Sequence, residues 1–428
     1  MKAESTTEHD RRGTKRRIRS KLRSRKMIAL LGVAALVVVA SVVVQEKVVD
    51  AGDTNVARTN TIAHTSSKTE FPTGKSDSAD PSGQSPPSPT GFPGYVETYV
   101  NNFTGTSIPS GWTPFGGTDM VDPDPGEQFA YNHDVVGDGV LSINTWMDPA
   151  FGNNWVTGGI CRCQDSKVYG AYFVRSRQTG PGPTGVDLLW PTSNTWPPEI
   201  DFNETLGVTD ATTATVIWGN AGGQRQQSQV ALNIDMTQWH TWGVVWTPTS
   251  ILYTVDGKVW GRFDVPSEIP TVPMTLHLQS QTWCTSNFAC PTGPQSTLVD
   301  WVVEYSAATH YTKSVGTFAS SSWELNTILR AQVAQLAAVV AAQGAPSVVL
   351  VGYSDSRTAA SQSSVVSQNR AQRVRSYLLR DLNELNDNHV IISIASATSV
   401  NPSTFTSTPA WRARNATVVV KVHNRTAR

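Results

Sequence analysis

Ile251-Leu252-Tyr253-Thr254-Val255-Asp256-Gly257-Lys258-Val259-Trp260-Gly261-Arg262-Phe263 is two runs of β-branched and aromatic residues joined by Asp-Gly. A two-residue hairpin turn that matches the strand twist needs positive φ at both central positions, which Asp and Gly tolerate. The stretch therefore predicts an antiparallel hairpin. Short runs of the same type recur at 168–175, 214–218, 242–246 and 274–278, separated by Gly, Pro, Asn and Asp turns. No helix of ten or more residues fits the pattern between 94 and 306, so this part of the chain is expected to be an all-β sandwich or barrel.

Within that part, Glu199-Ile200-Asp201-Phe202-Asn203-Glu204 crowds three acids into six residues. On a regular strand Glu199 and Asp201 share a face and Glu204 points away. A β-bulge, one extra residue, turns Glu204 back to its companions. Three carboxyls on one face repel one another and raise at least one pKa, which a general acid working near neutral pH requires. An acidic edge strand or a calcium site is the alternative for the same spacing.

The wider context resembles a known family. Trp196-Pro197-Pro198-Glu199-Ile200-Asp201-Phe202-Asn203-Glu204 is similar to the E-x-D-x-x-E signature of family 16 glycoside hydrolases, the laminarinase group. Tyr169–Arg175, Trp239–Trp246, Val255-Asp256-Gly257-Lys258 and Val299-Asp300-Trp301-Val302 resemble further family segments in the same order. The resemblance implies a concanavalin-like jelly roll of two stacked sheets. It also implies Glu199 as nucleophile, Asp201 as its assistant and Glu204 as general acid/base, acting on a β-linked polysaccharide of the β-1,3-glucan type. Trp190, Trp196, Trp218 and Trp283 are candidate sugar-stacking residues, with core packing as the alternative for each. Trp242 and Trp246 share a strand face and are read as core. Ile217 stands where many members have His, and His240 is read as structural.

Residues 1–26 hold 11 Lys/Arg and 3 Asp/Glu of the 34 of each in the chain, so the remainder is net acidic by 8 despite an overall charge of zero. The positive charge sits in one tail and not on a folded face, which argues against nucleic-acid binding. Residues 27–45 are uncharged and rich in Val, Ala and Leu; as a helix they reach about 28 Å, a bilayer's hydrocarbon thickness. An N-terminal transmembrane helix, with its basic flank cytoplasmic and everything after residue 50 exported, is the expectation; a cleaved signal peptide is the alternative. Residues 46–93 are read as a Ser/Pro/Gly-rich linker. Export favours disulfides among Cys161, Cys163, Cys284 and Cys290. Cys161 and Cys163, two apart on a strand, lie near the upper limit for direct bridging, so links from this pair to the 284–290 loop are preferred. The spacing fits no common zinc pattern. No metal or cofactor is implied.

From 312 to 428 the pattern changes to alternating helices and strands, an α/β domain. Ser321-Ser322-Trp323-Glu324 reads as a capping box opening a helix that runs to Gly344. A second helix is expected at 364–382, with strands at 348–351, 390–394 and 417–422. Val351-Gly352-Tyr353-Ser354-Asp355, then Ser367-Gln368-Asn369-Arg370-Ala371, then Arg412-Ala413-Arg414-Asn415 resemble the OmpA-like peptidoglycan-binding domain. In that family an Asp and an Arg grip the ammonium and the carboxylate of diaminopimelate, so Asp355 and Arg370 are the implied binding pair. Tyr353, Ser363, Ala416 and Thr417 depart from the usual residues. Multidomain order follows: cytoplasmic tail 1–26, anchor 27–45, linker 46–93, hydrolase 94–306 and OmpA-like domain 312–428. The expected protein is a cell-surface hydrolase tethered to membrane and peptidoglycan, with a lectin-like adhesin or structural tether as the rival.

Overall fold

A computed structural model describes residues 71–116, 128–282, 289–344, 346–354, 360–385, 387, 389–395 and 416–424. The tail and the apolar segment at 27–45 lie outside these residues. Among the described residues no helix is long and apolar enough to cross a membrane.

The Asp-Gly hairpin forms as its residues require. Ile251–Val255 pairs antiparallel with Lys258–Phe263, and Asp256 and Gly257 both take positive φ, 48° and 77°. It forms one edge of a nine-stranded sheet. From that edge the order continues through His240–Trp246, Gly170–Gln178, Gln295–Ala307, Val140–Asp148 and Asp134–Gly137; Tyr95–Asn101 pairs with Gln295–Ala307 and Asn154–Val156 with Val140–Asp148. A seven-stranded sheet runs Arg225–Asn233, Ala211–Gly219, Glu199–Glu204, Thr184–Pro191, Met274–Gln281, Gly159–Cys161 and Thr113–Pro114. Alternating residues of both sheets meet in one core. Leu189, Ile200, Phe202 and Leu276 come from the smaller sheet, and Val174, Trp242, Val244 and Tyr253 from the larger. Trp242 and Trp246 are fully buried, as their shared face predicts.

The segment expected to be a linker departs from its composition. Residues 71–93 lie on the larger sheet, where Phe71 and Phe92 are buried with Phe173, Trp301 and Tyr305. Arg175 Nε donates to Ser82 Oγ at 2.6 Å, and Trp301 Nε1 to the Gln84 carbonyl at 2.9 Å. Two aromatic anchors and satisfied backbone groups offset an ordering cost that the Ser, Pro and Gly content alone could not.

The C-terminal domain is a four-stranded sheet, His310–Gly316, Thr417–His423, Ser347–Gly352 and Ile391–Ile394, carrying helices α1 (Thr327–Ala342) and α2 (Ala360–Glu384). Its first strand is an edge that begins before 312 and carries no long apolar run to mark it in the sequence. Helix α1 starts later than the Ser321 box suggests. Ser321 has φ 53°, and Ser322 Oγ takes the Glu324 N–H in a turn. Asn326 is the cap, its side chain accepting the Leu329 N–H at 2.9 Å. The end of α1 meets the hydrolase sandwich: the Tyr95 hydroxyl donates to the Ala342 carbonyl, and Gln343 Nε2 donates to the Gly94 carbonyl at 2.6 Å.

Cys161 and Cys163 are bonded to each other, with Cα atoms 5.0 Å apart. The expectation of links to the 284–290 loop fails because the strand ends at Cys161 and the chain turns, shortening the separation below that of an extended strand. Cys290 is also disulfide-bonded.

Candidate active site

Glu199–Glu204 lies inside the seven-stranded sheet, between Thr184–Pro191 and Ala211–Gly219. Leu188 pairs with Asp201 and Asp187 with Asn203, leaving Phe202 as an extra residue. Across the other ladder, Asp201 pairs with Thr215 and Glu204 with Thr213, so two residues face one. This is the bulge that the spacing of the acids called for. Ile200, Phe202 and Asn203 are buried, with Ile200 and Phe202 in the core, and the three acids form one electrostatic cluster on the opposite face.

The cluster is under electrostatic stress. Burial, and then the charges of Glu199 and Glu204, push the Asp201 carboxyl well above its usual range, and Asp201 hydrogen-bonds to Glu199. Burial and the Glu199 charge push Glu204 up to about 7, against smaller opposing effects of the Thr213 hydroxyl and the Arg225 guanidinium. Thr213 Oγ1 donates to Glu204 Oε2 at 3.3 Å. Glu204 therefore keeps its proton near neutral pH, which suits a proton donor.

Trp196 Nε1 donates to Glu199 Oε2 at 2.8 Å. Trp196 is 42% exposed, and the Arg225 guanidinium lies over its ring, 5.3 Å from the centre. Arg225 and Thr213 carry no motif of their own. They become visible only when Ala211–Gly219 and Arg225–Asn233 are laid beside the acidic strand. Trp190 lies two residues beyond Leu188, hence on the Asp201 face, and donates to Asn194 Oδ1 at 3.1 Å. Trp218 does not join them. Ile217 is the residue opposite Glu199, so strand alternation turns Trp218 to the other face, where it packs against the core beside Ala214 and Val216. Trp283 lies outside the described residues.

Farther along the same face, His277 pairs with Cys161 and hydrogen-bonds Thr275 Oγ1 at 2.9 Å. Burial lowers its pKa to about 3, so it is neutral. Cys161, Cys163 and His277 bring ligand-type atoms within 4.8 Å of one another. The two sulfurs are joined, so no thiolate is present to hold a metal. Both ring nitrogens of His240 are engaged: Nδ1 meets Asp256 Oδ2 at 2.8 Å and Nε2 the Asp235 carbonyl at 3.1 Å.

In the C-terminal domain Arg370 is fully buried. Nε donates to the Ser322 carbonyl at 2.7 Å, Nη1 to that of Tyr353 at 2.7 Å and Nη2 to that of Ala319 at 2.8 Å. Arg370 thus ties the loop before α1 to the strand Ser347–Gly352. Asp355, its expected partner in ligand binding, lies outside the described residues, as does 412–415.

Residues 129–303 match Glycosyl hydrolases family 16, and residues 317–416 match the OmpA family. Endo-1,3-1,4-beta-glycanase ExsH of Rhizobium meliloti (strain 1021) is 30% identical over 108 residues, 24% of this chain and 23% of that protein. Beta-glucanase of Rhodothermus marinus is 28% identical over 151 residues, 32% of this chain and 52% of that protein. The chain therefore spans about a quarter and about half of these two relatives. Among solved structures, the laminarinase from Rhodothermus marinus is 21% identical, covering 50% of this chain and 98% of that one at a TM-score of 0.43. SCLam, a non-specific endo-beta-1,3(4)-glucanase from family GH16, is 20% identical, covering 52% and 95% at 0.45. The chain thus carries a family 16 glycosyl hydrolase domain followed by an OmpA family domain.

Proposed function

We propose that the protein is an endo-acting, retaining glycosidase that cuts a β-1,3- or mixed β-1,3(4)-glucan. The observation that carries this reading is the bulge, which gathers three acids into one cluster and leaves Glu204 protonated up to about pH 7. Glu204 protonates the departing glycosidic oxygen while Glu199 attacks the anomeric carbon. Glu204 then takes a proton from the water that resolves the glycosyl-enzyme. Asp201, protonated and hydrogen-bonded to Glu199, orients the nucleophile. Trp190 and Trp196 border the cleft as sugar platforms. The names of the relatives support a glucan as substrate, and the intact acid cluster favours an enzyme over an adhesin.

The remaining parts of the reading concern location. Residues 27–45 anchor the chain, the basic tail stays cytoplasmic, and the hydrolase and OmpA domains work outside the membrane. Asp355 and Arg370 bind peptidoglycan, holding the enzyme at high local concentration beside its substrate.

A panel of β-1,3-, β-1,4- and mixed-linkage glucans, assayed for new reducing ends with proton NMR of the first product, tests the chemistry. Cleavage with retained β configuration, lost in Glu199→Gln, is expected. Equal signal in wild type and Glu199→Gln on every polymer leaves the adhesin. Co-sedimentation of the full chain with peptidoglycan, compared with Asp355→Ala, tests the wall contact; equal sedimentation removes it. An alkaline phosphatase fusion after residue 50 tests export, and an inactive fusion overturns it.

A further inference from the structure

The core side of the acidic strand carries a second set of polar groups that the proposed chemistry does not touch. Asn203 and Asp187 pair across neighbouring strands, and each is 1% exposed. Asn203 Nδ2 donates to Asp187 Oδ2 at 3.0 Å, and Ser176 Oγ, from the opposite sheet, reaches the same oxygen at 3.3 Å. On its other side Asn203 Oδ1 accepts the Thr212 hydroxyl at 2.8 Å. The Thr212 oxygen in turn accepts the Glu204 backbone N–H at 3.0 Å. A continuous hydrogen-bonded row thus runs from the larger sheet, beneath the bulge, to the backbone of Glu204.

We propose that Asp187, Asn203 and Thr212 are positioning residues that select the bulged register and so aim the Glu204 carboxyl into the cleft. This rests on Glu204 being the acid. In an unbulged strand, alternation places Asn203 with Asp201 in the cleft and Glu204 with Ile200 and Phe202 in the core. The buried partners discriminate between the two registers. Asp187 Oδ2 accepts an amide N–H while Asn203 Oδ1 accepts the Thr212 hydroxyl, a donor and an acceptor that one amide supplies without titrating; a glutamate turned inward supplies a donor to Asp187 only by taking up a proton in the core. An amide whose carbonyl and NH₂ are both engaged fits the site, and removing it breaks the row in the middle, leaving Asp187 only the Ser176 hydroxyl and Thr212 only its contacts with the backbone of Glu204 and Thr213.

The test compares two substrates in the full chain: the polysaccharide, and a 2,4-dinitrophenyl glycoside of a glucan oligosaccharide, whose leaving group departs without protonation. Asn203→Leu and Thr212→Val are expected to lower kcat/KM on the polysaccharide by about 100-fold, the usual consequence of misplacing a reacting group. On the dinitrophenyl glycoside kcat/KM, which reports a first step that needs no acid, falls by under about tenfold, while kcat and KM drop together because the water step loses its base. Asp187→Asn keeps an acceptor oxygen and retains most of the polysaccharide rate. If Asn203→Leu does not fold, Thr212→Val, which preserves shape, carries the same comparison. Equal losses of kcat/KM on both substrates, or none on either, overturn the clamp. Glu204→Gln is measured alongside. If it cleaves the polysaccharide at the wild-type rate, the acid assignment itself fails and the clamp with it; if it shows the substrate-dependent loss while Asn203→Leu and Thr212→Val do not, only the clamp fails.

Discussion

Glu204 and Arg370 are the ionisable groups on which the two domains' expected functions turn, and the fold treats them differently. Glu204 is held beside like charges on the face of the smaller sheet away from the core, where its pKa rises to about 7. Arg370 is withdrawn from solvent and donates to three backbone carbonyls. The hydrolase domain leaves an electrostatic conflict that chemistry can use. The OmpA domain uses three of its arginine's hydrogen bonds to hold a loop against a strand.

The sharpest test of that contrast exchanges activity for stability. Glu204→Gln is expected to cut polysaccharide turnover by about 10²–10⁴-fold with the protein still folded. Arg370→Met is expected to strip three carbonyls of their donor and cost roughly 3 kcal/mol or more, read as a lower urea midpoint, with hydrolysis by the folded fraction preserved. If Arg370→Met unfolds at the wild-type midpoint, the contrast collapses.

The conflict around Glu204 has a pH signature of definite sign. The folded protein holds this proton more tightly than the unfolded chain. Its contribution to stability is therefore complete below the ordinary value of 4.5, is lost as pH rises through the interval to about 7, and is constant above. Thermal unfolding should show a smaller drop between pH 5 and pH 8 in Glu204→Gln than in wild type. The wild-type kcat/KM should fall above about pH 7 as the acid deprotonates. A rate that stays flat to pH 9 assigns the proton elsewhere.

Smaller effects separate the tryptophans. Trp196→Phe keeps an aromatic ring but loses the N–H to Glu199, and should slow hydrolysis by about tenfold. Trp218→Phe should change stability by about 1 kcal/mol and leave KM alone, because its ring faces the core. A raised KM in Trp218→Phe would return it to the cleft.

Much of the architecture was readable from local patterns. The Asp-Gly hairpin, the strands around it and the bulge at Phe202 follow from φ preferences, alternation and the spacing of three acids. Local patterns misled where distant contacts decide. Residues 71–93 resemble a linker by composition, yet Phe71 and Phe92 find a hydrophobic surface made by strands more than seventy residues away. Trp218 looked like a sugar platform, but the pairing of Ile217 with Glu199 turned it inward. Cys161 and Cys163 join directly because the strand ends between them.

The sequence by itself determined the strand-rich middle, the helical change beyond 312 and the identity of the clustered acids, since these depend on period, turn chemistry and motif spacing. Only the tertiary structure decided which face each tryptophan takes, where Arg225 sits, and that Asp187, Asn203 and Thr212 meet beneath Glu204. Those facts depend on register between strands, and a shift of one residue in that register reverses every side chain it touches.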